Sequence, residues 1–180
     1  MSFTTPHATA RAPVAVPVAQ GRRGLRTAAL VPALSEVAGR VMTWALSSQY
    51  SRAWVDPSLD AEANLQSWAL LDGAAPYVLV DGDVPVAYGE VWLDAEEDEA
   101  ELAHLVVDPA RRGRGWGREL VLRLAELAAC AATHVVLRVE PDNTLAQRVY
   151  QGCGFRLLPT QDQDAFNAGQ PRRYVWMRRR

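Results

Sequence analysis

The chain has 180 residues, of which 49% are hydrophobic and 22% charged, and its formal net charge is −2 at pH 7. These values are typical of a single globular domain and give no general attraction to nucleic acid or to an anionic membrane. All 19 basic residues are arginine, which excludes a P-loop NTPase and any enzyme that forms a lysine Schiff base, since both need a lysine amine.

The residue types that bind metals or form disulfides are few and widely spaced. His7, His104 and His134 lie far apart in sequence, and Cys130 and Cys153 do not have the spacing of a zinc site. We therefore expect no metal site, reduced thiols and a cytoplasmic location. No apolar run reaches the roughly 20 residues that a membrane-spanning helix requires.

The first part of the chain divides into a tail and a helical region. Residues 1–22 carry three prolines and no acidic residue, which predicts a disordered leader before one domain at 23–180. Because targeting peptides are also rich in arginine and poor in acidic residues, such a peptide is the alternative. Apolar residues at helical spacing predict helices over 33–46 and 60–71.

Strand-like runs follow at 76–80, 84–93 and 101–107. Turn residues at Asp81–Asp83 separate the first two runs, and the acidic stretch Asp94–Glu99 separates the last two. Since like charges crowd at a solvated turn rather than inside a sheet, the runs predict antiparallel hairpins. An acidic patch that attracts a cationic substrate is the alternative interpretation of Asp94–Glu99.

The second half of the chain alternates helices and strands. Its pattern predicts a helix with an apolar face from Leu120 to Ala128, a strand at 135–139, a helix from Asn143 to Gln151 capped by Gly152 or Gly154, and strands at 155–158 and 173–178. The order of helices, antiparallel strands and then β-α-β-α-β-β predicts an α/β domain with a mixed sheet.

The stretch VVDPARRGRGWGREL, residues 106–120, carries three glycines and four arginines between a strand and a helix. Glycine allows positive φ and a close approach of ligand to backbone, and a helix N-terminus favours an anion. The stretch therefore predicts a phosphate-binding loop, with a solvated basic turn as the alternative. A dinucleotide-binding fingerprint is disfavoured because its third glycine is absent at the required spacing.

Two motifs in this order resemble the GNAT superfamily of acetyl-CoA-dependent N-acyltransferases. The family's loop motif Arg/Gln-x-x-Gly-x-Gly/Ala is matched from Arg112 to Gly117 without departure, and the stretch from Asn143 to Phe155 matches a second block, which includes Tyr150, at the family's spacing. The resemblance covers roughly residues 75–158. It implies the GNAT fold, in which helices flank a mixed central sheet that splays at the cofactor strand.

The resemblance also implies acetyl-CoA as the acetyl donor, with no metal. In the family, the strand before the loop binds the pantetheine arm and the loop binds the pyrophosphate. Asn143 is expected to bond the cofactor, with a helix N-cap as its alternative role. The residues expected to contact acetyl-CoA are Leu105, Val106, Val107, Arg112, Gly113, Arg114, Gly115, Trp116, Gly117, Arg118, Asn143 and Tyr150.

The catalytic residues are expected from the same resemblance. Tyr150 occupies the position of the general acid for the coenzyme A thiolate, with a core aromatic as the alternative. For the base, Glu101 matches the position of the glutamate in the histone-acetylating branch, while Glu90 and His104 are further candidates. Strand alternation puts Glu101 and Leu105 on one face and His104 on the other, and a bulge would exchange the faces. An α-amino group, with a pKa near 8, would need no side-chain base.

We therefore expect a GNAT-fold N-acetyltransferase that acetylates a primary amine of a small molecule by direct attack in a ternary complex. As a monomer or homodimer, it would have no nucleic-acid or membrane partner. Trp44, Trp54 and Trp68 lie in the region that walls the family's acceptor site, so one of them is expected to line the pocket. Cys153 is interpreted as a small buried residue. The alternatives are a protein or peptide N-acetyltransferase, favoured by an open groove, and a non-catalytic acyl-CoA sensor.

Overall fold

The computed structural model describes residues 28–33, 35–70 and 73–180, so the leader expected at 1–22 lies outside the described residues. One seven-stranded sheet has the order β1-β2-β3-β4-β5-β7-β6. The elements are β1 (Ala28–Pro32), α1 (Ala38–Leu46), α2 (Ala61–Ala69), β2 (Ala74–Asp81), β3 (Val84–Asp94), β4 (Glu99–Val107), α3 (Trp116–Ala128), β5 (His134–Val139), α4 (Thr144–Gly152), β6 (Phe155–Leu157), α5 (Thr160–Asn167) and β7 (Val175–Arg179), with 3-10 turns at Ser35–Val37, Arg52–Trp54 and Pro109–Arg111.

The predicted mixed sheet and most of the predicted elements are confirmed, but two elements were missed. β1 pairs antiparallel with β2 at one edge of the sheet, and its five residues are too few to show a period. α5 lies between β6 and β7. The chain therefore ends in β-α-β, and the predicted β-β ending is wrong. Its sequence TQDQDAFN has no apolar stripe, and it contacts the sheet through Phe166, whose ring lies 4.9 Å from that of Trp176.

Helices cover both faces of the sheet. On one face, α3 buries its predicted apolar side against β3 and β4, where Leu120, Leu124 and Ala125 are at most 1% exposed. On the other face, α1 and α2 pack over Tyr88 and Val106. Each large apolar side chain buried in this way contributes roughly 1.5–3 kcal/mol, so the two layers hold β3 and β4 rigidly between them.

A β-bulge in β4 changes which side chains share a face. Glu90 pairs with Ala103, but Tyr88 pairs with Val106, so β4 has one residue more than β3 in this interval. His104 lies at the bulge with a φ of +48°. The extra residue exchanges the two faces beyond it.

The predicted alternation along β4 is therefore wrong after Ala103. Leu105 and Val107 pack towards α3, together with Leu102. His104 turns instead towards the α1/α2 face, where it contacts Glu90. The bulge, which the sequence analysis considered as an alternative, thus places His104 on the same face as Glu90 and Glu101.

β4 and β5 separate after a short parallel ladder. Glu99, Ala100 and Glu101 pair with His134–Val136, and the pairing stops there. From Leu102 to Val107, the side of β4 that faces β5 has no strand partner among the described residues. The splay expected at the cofactor strand is confirmed.

The segment between α1 and α2 is fixed by one buried amide. Asn64, which is 1% exposed, donates from Nδ2 to the carbonyls of Asp56, Leu59 and Asp60 at 2.9–3.1 Å and accepts from the Asp56 amide at 2.7 Å. These bonds hold the loop that leads away from the 3-10 turn Arg52–Trp54. Among the described residues, no helix is long and apolar enough to cross a bilayer.

Replacing Asn64 should destabilise the whole domain. Asn64→Ala leaves several backbone groups without their buried partner, so we expect the free energy of unfolding to fall by about 2–4 kcal/mol in urea denaturation. Gln66→Ala, on the exposed side of the same helix, should change it by less than about 0.5 kcal/mol. Equal effects of the two substitutions would contradict this role of Asn64.

Candidate active site

The glycine-rich loop presents free backbone amides to solvent. Gly113 and Gly115 have φ values of +72° and +86°, and Gly115 is the N-cap of α3. The amides of Gly113, Arg114, Gly115 and Gly117 make no hydrogen bond to any described residue. A Cβ at Gly113 or Gly115 would meet no atom within 4 Å. The loop therefore has the free donors and the open space that a pyrophosphate requires.

The arginines of the loop differ in their contacts. Arg112 donates from Nη2 to Ser47 Oγ at 2.7 Å and from Nε to the Val107 carbonyl at 3.3 Å, which ties the loop to the end of α1. Arg114 and Arg118 are exposed and form no ion pair with a described residue, so their charge is available to an anion. The Trp116 side chain is 2% exposed within the core, so only its backbone can face a ligand.

The second motif builds the start and the body of α4. Asn143 Oδ1 accepts from the Ala146 amide at 3.2 Å and so caps the helix, the alternative role considered for it. Tyr150 is half-buried, and its hydroxyl has no hydrogen-bond partner among the described residues. Burial, and next the neighbouring Cys153, raises the pKa of Tyr150, so the phenol stays protonated at neutral pH. Cys153 is 5% exposed, as expected of a structural residue.

A buried carboxylate and the bulge histidine form the most distinctive pair in the molecule. Glu90 is fully buried; it accepts from the Tyr88 hydroxyl at 2.5 Å and from Trp92 Nε1 at 2.6 Å, and its Oε1 lies 3.1 Å from His104 Nδ1. Burial raises the pKa of Glu90, but the contacts with His104, Tyr88 and Trp92 outweigh burial and bring it below the ordinary value. Glu90 is therefore an ionised partner whose charge lies beside the imidazole.

Three tryptophans surround the His104 ring. The ring centroids of Trp54, Trp68 and Trp92 lie 4.9, 4.5 and 5.3 Å from that of His104. Trp68 donates to the Trp54 carbonyl at 3.1 Å, which fixes the 3-10 turn against α2. The His104 side chain remains 15% exposed. Of the three tryptophans considered for the pocket, Trp54 and Trp68 lie beside the candidate base, whereas Trp44 packs in the core of α1.

Glu101 lies on the same face of the sheet but has a different partner. Its Oε1 is 3.0 Å from Nε of Arg138 on β5. Burial raises the pKa of Glu101 to about 7, against the lowering effect of Arg138. The structure thus brings Glu90 and His104 together and engages Glu101 in an ion pair. Sequence reasoning missed Arg138 and Trp92; the period-2 spacing of Tyr88, Glu90 and Trp92 was the available signal for Trp92.

Comparisons with known proteins agree with this architecture. Residues 40–155 match the Acetyltransferase (GNAT) family. The chain is 33% identical over 120 residues to a mycothiol acetyltransferase of Kineococcus radiotolerans. This alignment covers 67% of this chain and 34% of that protein. It is 39% identical over 62 residues to a [ribosomal protein bS18]-alanine N-acetyltransferase of Haemophilus ducreyi. This alignment covers 34% of this chain and 43% of that protein. The chain spans about a third of the length of the mycothiol acetyltransferases it matches.

Similarity to solved structures extends over most of the chain. A spermidine N-acetyltransferase chimera from Vibrio cholerae and hSSAT superposes with a TM-score of 0.67 at 16% identity. The match covers 84% of this chain and 94% of that one. At this identity the likeness shows the fold alone. Among the described residues, no group of three or more His, Cys, Asp or Glu side chains is placed to hold a metal ion.

The loop geometry predicts a selective loss of acetyl-CoA affinity. Gly115→Glu places a carboxylate beside the free amides, and its negative charge repels the pyrophosphate. We therefore expect acetyl-CoA binding measured by calorimetry to weaken by about a hundredfold or more. Gly82→Glu is the matched control, because Gly82 also has a positive φ (+61°) and open space but lies in the β2–β3 turn. Both variants should lose about 1–2 kcal/mol of stability from backbone strain. Equal affinities in the two variants would show that the loop does not bind the cofactor.

The raised pKa of Glu101 predicts a pH-dependent stability difference. The folded state keeps a proton on Glu101 up to a pH of about 7, whereas the unfolded chain loses it near the ordinary value of 4.5. The contribution of Glu101 to stability is therefore complete below pH 4.5 and is lost as the pH rises through 7. Wild type should lose up to about 1.4 kcal/mol per pH unit in this window relative to Glu101→Gln. A constant difference in urea denaturation from pH 4.5 to 7 would contradict the shift.

Proposed function

The chain belongs to the GNAT family of acetyltransferases, and from that premise we propose that it transfers the acetyl group of acetyl-CoA to a primary amine of a small molecule. The observation that carries the proposal is the buried Glu90–His104 pair, which lies at the bulge where β4 separates from β5. The pair puts a potential proton acceptor beside the open edge of β4. Direct attack of the amine then requires no acyl-enzyme, which agrees with the buried position of Cys153.

Acetyl-CoA supplies the thioester, and the residues of this chain bind and orient it. The free amides of Gly113, Arg114, Gly115 and Gly117 hold the pyrophosphate, with Arg114 and Arg118 adding charge. The unpaired edge of β4 from Leu105 to Val107 binds the pantetheine arm by backbone hydrogen bonds. A backbone amide at Leu105 or Val106 polarises the thioester carbonyl and stabilises the negative charge on its oxygen.

His104 is the general base in this proposal. Its Nδ1 faces Glu90, which leaves Nε2 as the nitrogen that accepts a proton from the amine. The ionised Glu90 carboxylate stabilises the imidazolium that results. Such help matters because an amine with a pKa of about 10.4 costs nearly 5 kcal/mol to deprotonate at pH 7, whereas an α-amino group near 8 costs about 1.4 kcal/mol.

The remaining steps move the electron pair and one further proton. The amine nitrogen forms a bond to the carbonyl carbon, and the carbon–sulfur bond then breaks with its electron pair on sulfur. Tyr150 is protonated and donates its proton to the thiolate as the carbon–sulfur bond breaks. Because burial and Cys153 raise the pKa of the phenol further above that of a thiol, this transfer depends on the position of the hydroxyl beside the sulfur. The proton that His104 takes from the ammonium passes to solvent. The second proton, which the nitrogen loses as the amide forms, is exchanged through solvent and replaces the one that Tyr150 has given up. The products are the N-acetylated amine and free coenzyme A.

The walls around His104 support a small acceptor rather than a protein. Trp54 and Trp68 lie over the imidazole and leave 15% of its side chain exposed. The aromatic faces also favour a cationic amine on its approach, since indole rings attract ammonium groups.

Release of coenzyme A in the presence of an amine panel tests the proposed function. His104→Asn removes the imidazole but introduces a residue that also tolerates the positive φ of this position. It should lower kcat by about 10²–10⁴-fold and leave acetyl-CoA affinity unchanged, because the base is lost and the loop is not.

His134→Asn is the control, since His134 is an exposed histidine at the start of β5. It should retain wild-type rates. If wild type binds acetyl-CoA and releases no coenzyme A with any amine, the chain is a binding protein and the proposal is wrong. If His104→Asn keeps full activity, another group accepts the proton.

A further inference from the structure

Arg138 and Glu101 form an ion pair on the acceptor face that the proposed chemistry does not use. The Arg138 guanidinium lies 5.6, 5.3 and 5.4 Å from the rings of Trp92, Tyr174 and Trp176. It donates from Nη1 to Gln170 Oε1 at 2.8 Å, and its Nε lies 3.0 Å from Glu101 Oε1. The guanidinium is therefore held in one orientation by partners on several sides.

The pair lies close to the candidate base. Trp92 contacts both groups, since its ring centroid is 5.3 Å from that of His104 and 5.6 Å from the Arg138 guanidinium carbon. Arg138 also lies two positions after Val136, the last residue of β5 that pairs with β4, and itself pairs with Trp176 of β7. It therefore faces the splay across from the bulge, on the side where the acceptor approaches His104.

Two polar atoms of the pair are left without partners. Arg138 Nη2 and Glu101 Oε2 make no hydrogen bond to any described residue. The two side chains are 25% and 15% exposed, so a ligand can reach these atoms. One is a donor and the other an acceptor, and the charges of the pair cancel.

A pair of this kind discriminates by charge. A carboxylate beside it would be repelled by Glu101, and a second ammonium would be repelled by Arg138. A neutral amide satisfies both atoms, because its carbonyl accepts from Nη2 and its N–H donates to Oε2. An acceptor without such a group would displace water from both atoms and leave them unpaired.

We propose that the Glu101–Arg138 pair selects an acceptor with a neutral amide next to its reacting amine, that is, an α-amino amide; the proposal rests on the acetyltransfer function proposed above. Both residues act as specificity-determining residues, while His104 remains the base. An α-amino amide is present both in a small aminoacyl amide and at the N-terminus of a peptide. The enclosed ring of His104 favours the small acceptor.

Four compounds with related skeletons test this selection in the wild-type protein. They are alaninamide, alanine, propane-1,2-diamine and ethylamine, assayed by coenzyme A release at pH 8. Because their amines differ in pKa, kcat/KM is calculated on the form whose reacting amine is neutral. Alaninamide should exceed each of the other three by about tenfold or more. An octapeptide that begins with alanine distinguishes a peptide N-terminus from a small aminoacyl amide as the acceptor. It should be a poorer acceptor than alaninamide.

Two charge-removing variants should shift the preference in opposite directions. Glu101→Gln leaves an uncompensated cation, so the ratio of alanine to alaninamide should rise by about tenfold. Arg138→Gln removes the cation that repels a second ammonium, so the ratio of the diamine to alaninamide should rise by about tenfold. Each ratio is internal to one protein and is therefore independent of how much of that variant folds.

A second ion pair of the same residue types provides the matched control. Glu119 and Arg123 lie 2.7 Å apart on the surface of α3, so Glu119→Gln and Arg123→Gln should keep the wild-type ratios. Equal use of the four compounds by wild type, or unchanged ratios in both Glu101→Gln and Arg138→Gln, would overturn the selection. Absence of coenzyme A release with every compound would instead overturn the proposed acetyltransfer.

Discussion

A single extra residue in β4 is the constraint on which the arrangement of the site depends. The bulge lets His104 turn to the face that already carries Glu90, while Leu105 and Val107 return to the core beneath α3. Beyond it, β4 continues to pair with β3 but no longer with β5. The same short stretch of backbone thus contributes a histidine to one side of the site and an unpaired edge to the other.

The two acidic side chains on this face show how local partners set the state of a buried carboxylate. Glu90 has no exposure, yet contacts from His104, Tyr88 and Trp92 hold its pKa down. For Glu101, burial outweighs the single cation Arg138 and the pKa rises. Leaving a buried charge with too few partners is costly, so the number of donors around each group decides its role. Glu90 serves as a fixed anion, and Glu101 as half of a neutral pair.

The tryptophans around His104 and the glycine-rich loop are linked through the end of α1. Arg112 of the loop donates to Ser47, and the chain continues from there through the 3-10 turn to Trp54, which lies against His104. Asn64 holds the far end of this segment, and Trp68 holds Trp54 itself. Packing and hydrogen bonds therefore place the groups on the two sides of the site within one rigid framework.

The sequence by itself determined the mixed sheet, the apolar face of α3 and the position of the glycine-rich loop, because each depends on local spacing or on residues that tolerate positive φ. It also predicted Glu90 and His104 as candidates, without the contact between them. Only the tertiary structure decided that contact, the Glu101–Arg138 pair and the place of α5. The reason is physical: a one-residue bulge reverses every side chain beyond it, and partners such as Glu101 and Arg138, on different strands, meet only through strand register.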